Sequence, residues 1–429
     1  MASLAGAWRT MAGRRALAAL GGVLVVAIAG CSGGASGGDA GGSKTGRHAQ
    51  AVAPVIKITP ATGAKRVRPN VPIRVQAVEG RLLSVTVRAR GRDVAGSMNN
   101  QASEWTSRWA LAPGASFVVQ ATAGNSAGKT VTADSTFRTL QPAATFSASL
   151  DWTLAANQGH SYGIGLPIIL NFSQPVRDKA AVEKALVVTA QNPVPGAWRW
   201  ITDQQIVYRA DGYWPPHQVV MLHAHLAGVR VAPGVFGTKN LTYKFKIGRA
   251  QVSSVNVRTH HMTVRIDGKI ARSYGISAGD GTSLVYTTPS GTALTMDKAR
   301  LVIMTNPNVP KGAPGWYREP VPLAVRITNS GIYLHETPGA EWCLGVTNCS
   351  HGCIRQPPAD ALWFYNINQT ADVVHVKGTP RKMVFGDGWT FYQMPWTQWA
   401  KGATVNYATY ATYSPVSPIP SGIRLRART

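Results

Sequence analysis

Ser350-His351-Gly352-Cys353-Ile354-Arg355 is the stretch from which the rest of this chain is read, together with Ser330-Gly331-Ile332-Tyr333-Leu334-His335 upstream of it. Cys353 lies eighteen positions after His335. A thiol is a strong nucleophile only as thiolate, and an imidazole within reach can take its proton. Gly352, between His351 and Cys353, lets the backbone turn tightly and brings main-chain N–H groups close to the reacting atom. The commonest fate of a free cysteine is a small buried apolar residue. The flanking His-Gly and the upstream histidine point instead to acyl transfer through a thioester.

This Ser-His-Gly-Cys signature, with a histidine at that distance, resembles the catalytic signature of the L,D-transpeptidases, the YkuD-like enzymes of bacterial cell-wall assembly. Further segments are similar in the same way. Met262 to Tyr274 resembles the family's opening hairpin, Gly315-Trp316-Tyr317-Arg318 its lid, and Leu362 to Tyr365 the helix behind the nucleophile loop. The likeness covers roughly residues 251 to 400, and the region upstream resembles the immunoglobulin-like modules of actinobacterial members.

The resemblance implies roles. Cys353 is the nucleophile and His335 the base. A main-chain carbonyl is expected to orient the imidazole rather than the Glu336 side chain, because neighbouring side chains on a strand face opposite ways. His351 is expected to shape the loop, and the N–H groups of Gly352 and Cys353 to form the oxyanion hole. Tyr317, Ser330, Gly331, Ser350, Arg355 and Met304 are the candidate substrate-binding residues, with Arg355 suited to a stem-peptide carboxylate. The implied reaction is attack on a tetrapeptide stem of peptidoglycan, loss of D-alanine and formation of a 3→3 cross-link. Water as acceptor would give an L,D-carboxypeptidase, and a wall-protein amine an anchoring enzyme. A non-catalytic peptidoglycan-binding lipoprotein is the alternative from another class. Carbapenems are expected to acylate the same thiol. No cofactor and no metal are expected.

The 429 residues carry 44 Lys and Arg against 19 Asp and Glu, a net charge of +25. Such a chain is drawn to polyanions. The N-terminus makes nucleic acid an unsuitable partner. Arg9, Arg14 and Arg15 precede an apolar run from Ala16 to Gly30, too short to span a membrane comfortably. The run ends in Ile28-Ala29-Gly30-Cys31, which resembles a lipobox, so Cys31 is the expected lipidation site. The chain is therefore expected to be exported and anchored by lipid to the outer face of the plasma membrane. Anionic wall polymers are then candidate partners beside the stem peptides.

Three cysteines remain, all between 343 and 353. In an oxidising compartment the simplest arithmetic pairs Cys343 with Cys349 and leaves Cys353 free. A bond from Cys353 to either neighbour would silence the nucleophile. A zinc site from Cys343, Cys349, His351 and Cys353 is the rival reading, but four ligands inside eleven residues suit closed tetrahedral geometry poorly.

The expected fold is mainly β: two immunoglobulin-like β-sandwiches, then a β-rich catalytic domain with one short helix and a Trp-rich C-terminal extension. The boundaries read as signal peptide 1–30, flexible Gly- and Ser-rich linker 31–54, sandwiches 55–140 and 141–250, catalytic domain 251–380, and extension with basic tail 381–429. Alternating runs such as Val85-Thr86-Val87-Arg88-Ala89 give one buried and one wet face. Asp178 to Leu186 is read as a short helix. Trp152, Trp198 and Trp200 are assigned to core, since large aromatics dominate burial in small sandwiches. Asp267-Gly268 is a hairpin turn, Leu284 to Tyr286 a strand, and Pro357-Pro358 opens a helix reaching about Asn366.

Overall fold

A computed structural model describes residues 52–306, 309–313 and 316–404. The expected signal segment, Cys31, most of the linker, Gly315 of the lid and the basic tail beyond 404 lie outside these residues. Among the described residues no helix is long and apolar enough to cross a membrane.

The N-terminal part is two four-stranded sheets facing each other. One is built around Val55–Thr59 and Arg74–Val78, the other around Arg81–Ala89, Ser116–Gly124 and Thr130–Arg138. Ser116–Gly124 alternates strictly, burying Phe117, Val119, Ala121 and Ala123 against Ile73, Val75 and Trp105. This alternation is what a sandwich requires, because every second side chain points to the same face.

The second sandwich also has two four-stranded sheets, plus a small three-stranded one. Ile168–Phe172 and Gln205–Ala210 are nearly continuous apolar strands because both are paired on either side and covered. The expected helix is present as Lys179–Lys184, capped by Asp178. Trp198 is buried and Trp200 partly so, but Trp152 departs from expectation: it is 60% exposed. It opens a short helix, Trp152–Ala156, whose buried residues are Thr153 and Leu154. The Trp152 ring is left outside, with the Arg326 guanidinium 5.6 Å from its centre.

The region from Gln251 onward is a five-stranded and a four-stranded sheet with one helix, Pro358–Ile367, packed against them. Pro357 and Pro358 start that helix where no backbone donor is needed. His261–Ile266 and Lys269–Gly275 pair across Asp267-Gly268, both with positive φ (48° and 81°), as a two-residue hairpin demands. In the four-stranded sheet the order is Lys298–Thr305, Arg318–Arg326, Tyr333–Glu336, Ile354–Gln356. The final pair is parallel. Leu284 to Tyr286 is not a strand: Leu284 and Val285 are exposed, and the segment belongs to an irregular loop. Three apolar residues without a partner strand cannot satisfy a ladder, so pattern alone misread them.

The extension returns to the second sandwich. Arg209 is buried and donates to the carbonyls of Phe391 and Met394 (3.0 Å each), with its guanidinium against Tyr392 and Trp399. Trp399 is fully buried and its indole N–H donates to the Ala197 carbonyl at 3.0 Å.

Candidate active site

The parallel pairing of Tyr333–Glu336 with Ile354–Gln356 sets Leu334 opposite Ile354 and His335 opposite Arg355. With a side-chain period of two, His335 and Arg355 share a face, and Cys353 immediately precedes the strand that carries Arg355. Glu336 points the other way. Its main-chain carbonyl accepts from His335 Nδ1 at 2.5 Å. That bond fixes the tautomer with Nδ1 protonated and leaves Nε2 as the acceptor nitrogen.

Cys353 carries the free thiol, which donates to the Gly331 carbonyl at 3.4 Å. Burial pushes this thiol up to about 11; the Tyr333 main-chain N–H and the Arg355 charge pull down, and the Glu319 carboxylate adds to the rise. Burial also brings His335 down to about 4, opposed by its bond to Glu336 and reinforced by Arg355. At neutral pH the resting pair is therefore thiol and neutral imidazole.

The loop ahead of Cys353 is held from inside. Ser350 is 2% exposed; its hydroxyl accepts from the Gly352 N–H at 3.1 Å and donates to the Cys353 carbonyl at 2.6 Å. Gly352 has φ +130°, a conformation side chains rarely adopt, and its carbonyl accepts from Thr288 Oγ1 at 2.7 Å. Ser350 thus braces the loop from inside, and the Gly352 N–H donates to its hydroxyl. A short hydroxyl placed two residues before a glycine turn satisfies backbone groups that would otherwise be buried unpaired.

His351 is exposed and lies between two tyrosines. Tyr317 stacks on it at 4.5 Å and 13°, and Tyr286 meets it edge-on at 5.0 Å. Tyr317 is close enough to Cys353 for the sulfur's charge to raise its phenol, after burial. Met304 is half-buried, paired with Glu319 on the neighbouring strand. The Ser330 N–H and hydroxyl both bond Asp387, at 2.7 and 2.6 Å, tying this turn to the extension. Gly331, beside it, contributes the carbonyl that receives the thiol.

Cys343 and Cys349 are joined, with Cα atoms 6.4 Å apart, within the range a disulfide spans. The zinc arrangement loses two of its thiols to that bond. Arg355 Nη1 donates to the Cys349 carbonyl at 3.3 Å and approaches its sulfur at 3.2 Å. The sequence alone gives Glu319 and Tyr286 no place at the site. Neither sits in a motif, and each reaches the site only through the folding of a separate segment.

The family model of the L,D-transpeptidase catalytic domain (YkuD) matches residues 250–376, and that of a bacterial Ig domain matches residues 64–230. L,D-transpeptidase 2 of Mycobacterium tuberculosis (strain CDC 1551 / Oshkosh) is 30% identical over 358 residues, covering 82% of this chain and 86% of that one. The chain belongs to the L,D-transpeptidase family. L,D-transpeptidase 5 of M. tuberculosis (strain H37Rv) is 29% identical over 354 residues, covering 81% and 76%. The crystal structure of M. tuberculosis L,D-transpeptidase 3 with a faropenem-derived adduct shares 31% identity, covers 53% of this chain and 97% of that one, and superposes with a TM-score of 0.44. This transpeptidase is thus an acyltransferase, mainly β, with an Ig-like region ahead of its catalytic domain.

Proposed function

We propose that Cys353 attacks the carbonyl before the terminal D-alanine of a peptidoglycan tetrapeptide stem. The S–C bond forms as the thiol proton passes to Nε2 of His335. Collapse breaks the C–N bond, and the same proton goes to the departing D-alanine amine. A side-chain amine of a second stem then attacks the thioester, giving a 3→3 cross-link. Because both groups are neutral at rest, the proton moves with the attack rather than before it. With the Gly352 N–H engaged, the main-chain donors left near the sulfur are those of Cys353 and Tyr333, and the developing oxyanion is assigned to them. Tyr317 and His351 form one wall of the donor site, and Met304 and Gly331 flank it. Arg355 faces the stem's carboxylate. Carbapenems acylate the same sulfur.

The observation that supports this reading is the register that pairs the strand of His335 with the strand beginning directly after Cys353, with Nδ1 of His335 already committed to a carbonyl. The finer placement belongs with it: export, lipid on Cys31, domain limits as read from the sequence, and sandwiches that space the catalytic unit from the membrane toward an anionic wall. Intact-mass measurement after incubation with tetrapeptide stems tests the chemistry. An adduct lacking D-alanine is expected on the wild type and none on Cys353→Ala; wall binding without any adduct on the wild type would leave only the binding-protein alternative.

A further inference from the structure

Beside His335 the surface opens into a cleft of about 220 Å³ lined by Glu319, Val321, His335, Glu336, Thr337 and Arg355, among others. Three of its polar groups differ in how they are satisfied. The Arg355 guanidinium is engaged with Cys349. Thr337 is 2% exposed, yet its hydroxyl has no hydrogen-bond partner among the described residues. Glu319 is half-buried and forms no ion pair among the described residues.

A carboxylate in this position is hard to explain by the first half-reaction. It faces the nucleophile closely enough to push the Cys353 thiol up, which opposes thiolate formation. Among the described residues it contributes no ion pair to the fold. An unpaired charge and a buried unpartnered hydroxyl lining one cleft, next to the base, are the marks of a site completed by a ligand. The missing charge is positive.

We infer that Glu319 is a specificity-determining residue that recruits a primary ammonium as the acyl acceptor, with Thr337 supplying a second polar contact in the same cleft. The inference rests on the thioester chemistry proposed above and concerns its second half. The bound ammonium loses two protons in all: one passes through Nε2 of His335 to the departing Cys353 sulfur, the other to solvent. The N–C bond forms and the C–S bond breaks, so an amide and a thiol result. A carboxylate near the thioester concentrates cationic amines over water and thus favours cross-linking over hydrolysis.

The test begins from acyl-enzyme preformed with a tetrapeptide stem, in wild type, Glu319→Gln and Glu319→Asp. Three nucleophiles are compared by quenched-flow mass spectrometry: a stem peptide with a free side-chain amine, hydroxylamine (uncharged at neutral pH) and water. The expected result is a KM for the stem amine raised about tenfold in Glu319→Gln and largely recovered in Glu319→Asp, with no slowing of hydroxylamine or water attack. An unchanged KM for the stem amine, or equal slowing of all three nucleophiles, would overturn the inference. Absence of acyl-enzyme in the wild type is read before any acceptor is added, and it would strike the thioester reading itself.

Discussion

Nδ1 of His335 donates to the carbonyl of the very next residue, Glu336, at 2.5 Å. The orienting group is thus main chain, and no side-chain carboxylate is needed to hold the base. The consequence is a base that stays neutral over most of the pH range, since burial holds His335 down to about 4. Acylation by a tetrapeptide stem should keep its rate as pH falls through the ordinary imidazole range near 6.5, and lose it only toward pH 4–5. His335→Gln should lower the acylation rate by about 10²–10⁴-fold. Single-turnover rates between pH 4 and 8 check both statements; an acid limb near 6.5 would contradict the buried neutral state.

The same burial couples to stability. The unfolded imidazole takes a proton near pH 6.5, whereas the folded one resists until about 4. The unfolded state therefore binds more protons in that window, and stability falls as pH drops from about 6.5 toward 4. Above it, the contribution is complete. His335→Gln should flatten the dependence of melting temperature on pH across this window. Calorimetric scans of both proteins at matched ionic strength give the comparison.

Ser350 yields a prediction of a different kind. Its hydroxyl joins the Gly352 N–H to the Cys353 carbonyl inside a buried loop. Ser350→Ala should cost about 1–3 kcal/mol, the penalty for leaving buried backbone groups unpaired. The acylation rate should fall as well, because the thiol loses its fixed approach, while KM for the stem moves less. A denaturant titration and single-turnover kinetics separate the two effects. A rise in KM alone would place Ser350 on the substrate surface instead.

Local chemistry was legible where it was self-contained. Asp267-Gly268 needs only positive φ at two positions, and Pro357-Pro358 needs only a helix start, so sequence was enough for both. The pairing of His335 with Cys353 is read from a family pattern alone, whereas the register between the strand of His335 and the strand after Cys353 belongs to the fold. What stayed hidden was whatever depends on distant partners. Ser330 meets Asp387, from the extension, through both its polar groups, a contact that no local pattern announces. Trp152 carried a core residue's composition but sits on a helix whose buried side is occupied by Thr153 and Leu154. Glu319 had no motif at all, and only the cleft beside His335 gives it meaning.

Arg209 shows how the extension is held. A buried guanidinium whose Nη atoms meet two carbonyls, and whose faces meet Tyr392 and Trp399, loses several contacts at once on truncation. Arg209→Ala should destabilise the protein by about 3–5 kcal/mol and expose the 381–404 segment to protease. Arg209→Lys should fall between, because a single ammonium cannot reach both carbonyls in the same geometry. Limited proteolysis followed by mass mapping reads the outcome directly. Cleavage elsewhere first, with 381–404 intact, would show that the extension is held by its tryptophans and not by Arg209.

The Cys349 end of the disulfide touches both the Arg355 guanidinium and the Ser277 hydroxyl beside it. Arg355 and Ser277 exchange main-chain bonds in both directions, at 2.7 and 3.1 Å, and these do not pass through the sulfur atoms. The guanidinium, by contrast, leans on the Cys349 carbonyl and sulfur. Closing so short a loop contributes only about 2 kcal/mol in the chain-entropy account. Cys343→Ser combined with Cys349→Ser should therefore leave a folded enzyme with a lower melting temperature. Its acylation rate should fall by less than about tenfold, since one charged contact loosens while Cys353 and His335 keep their places. Alkylation before and after reduction establishes the thiol count, and single-turnover kinetics of the double variant the rate. Complete loss of acylation in a folded double variant would mean that the bond shapes the nucleophile loop itself.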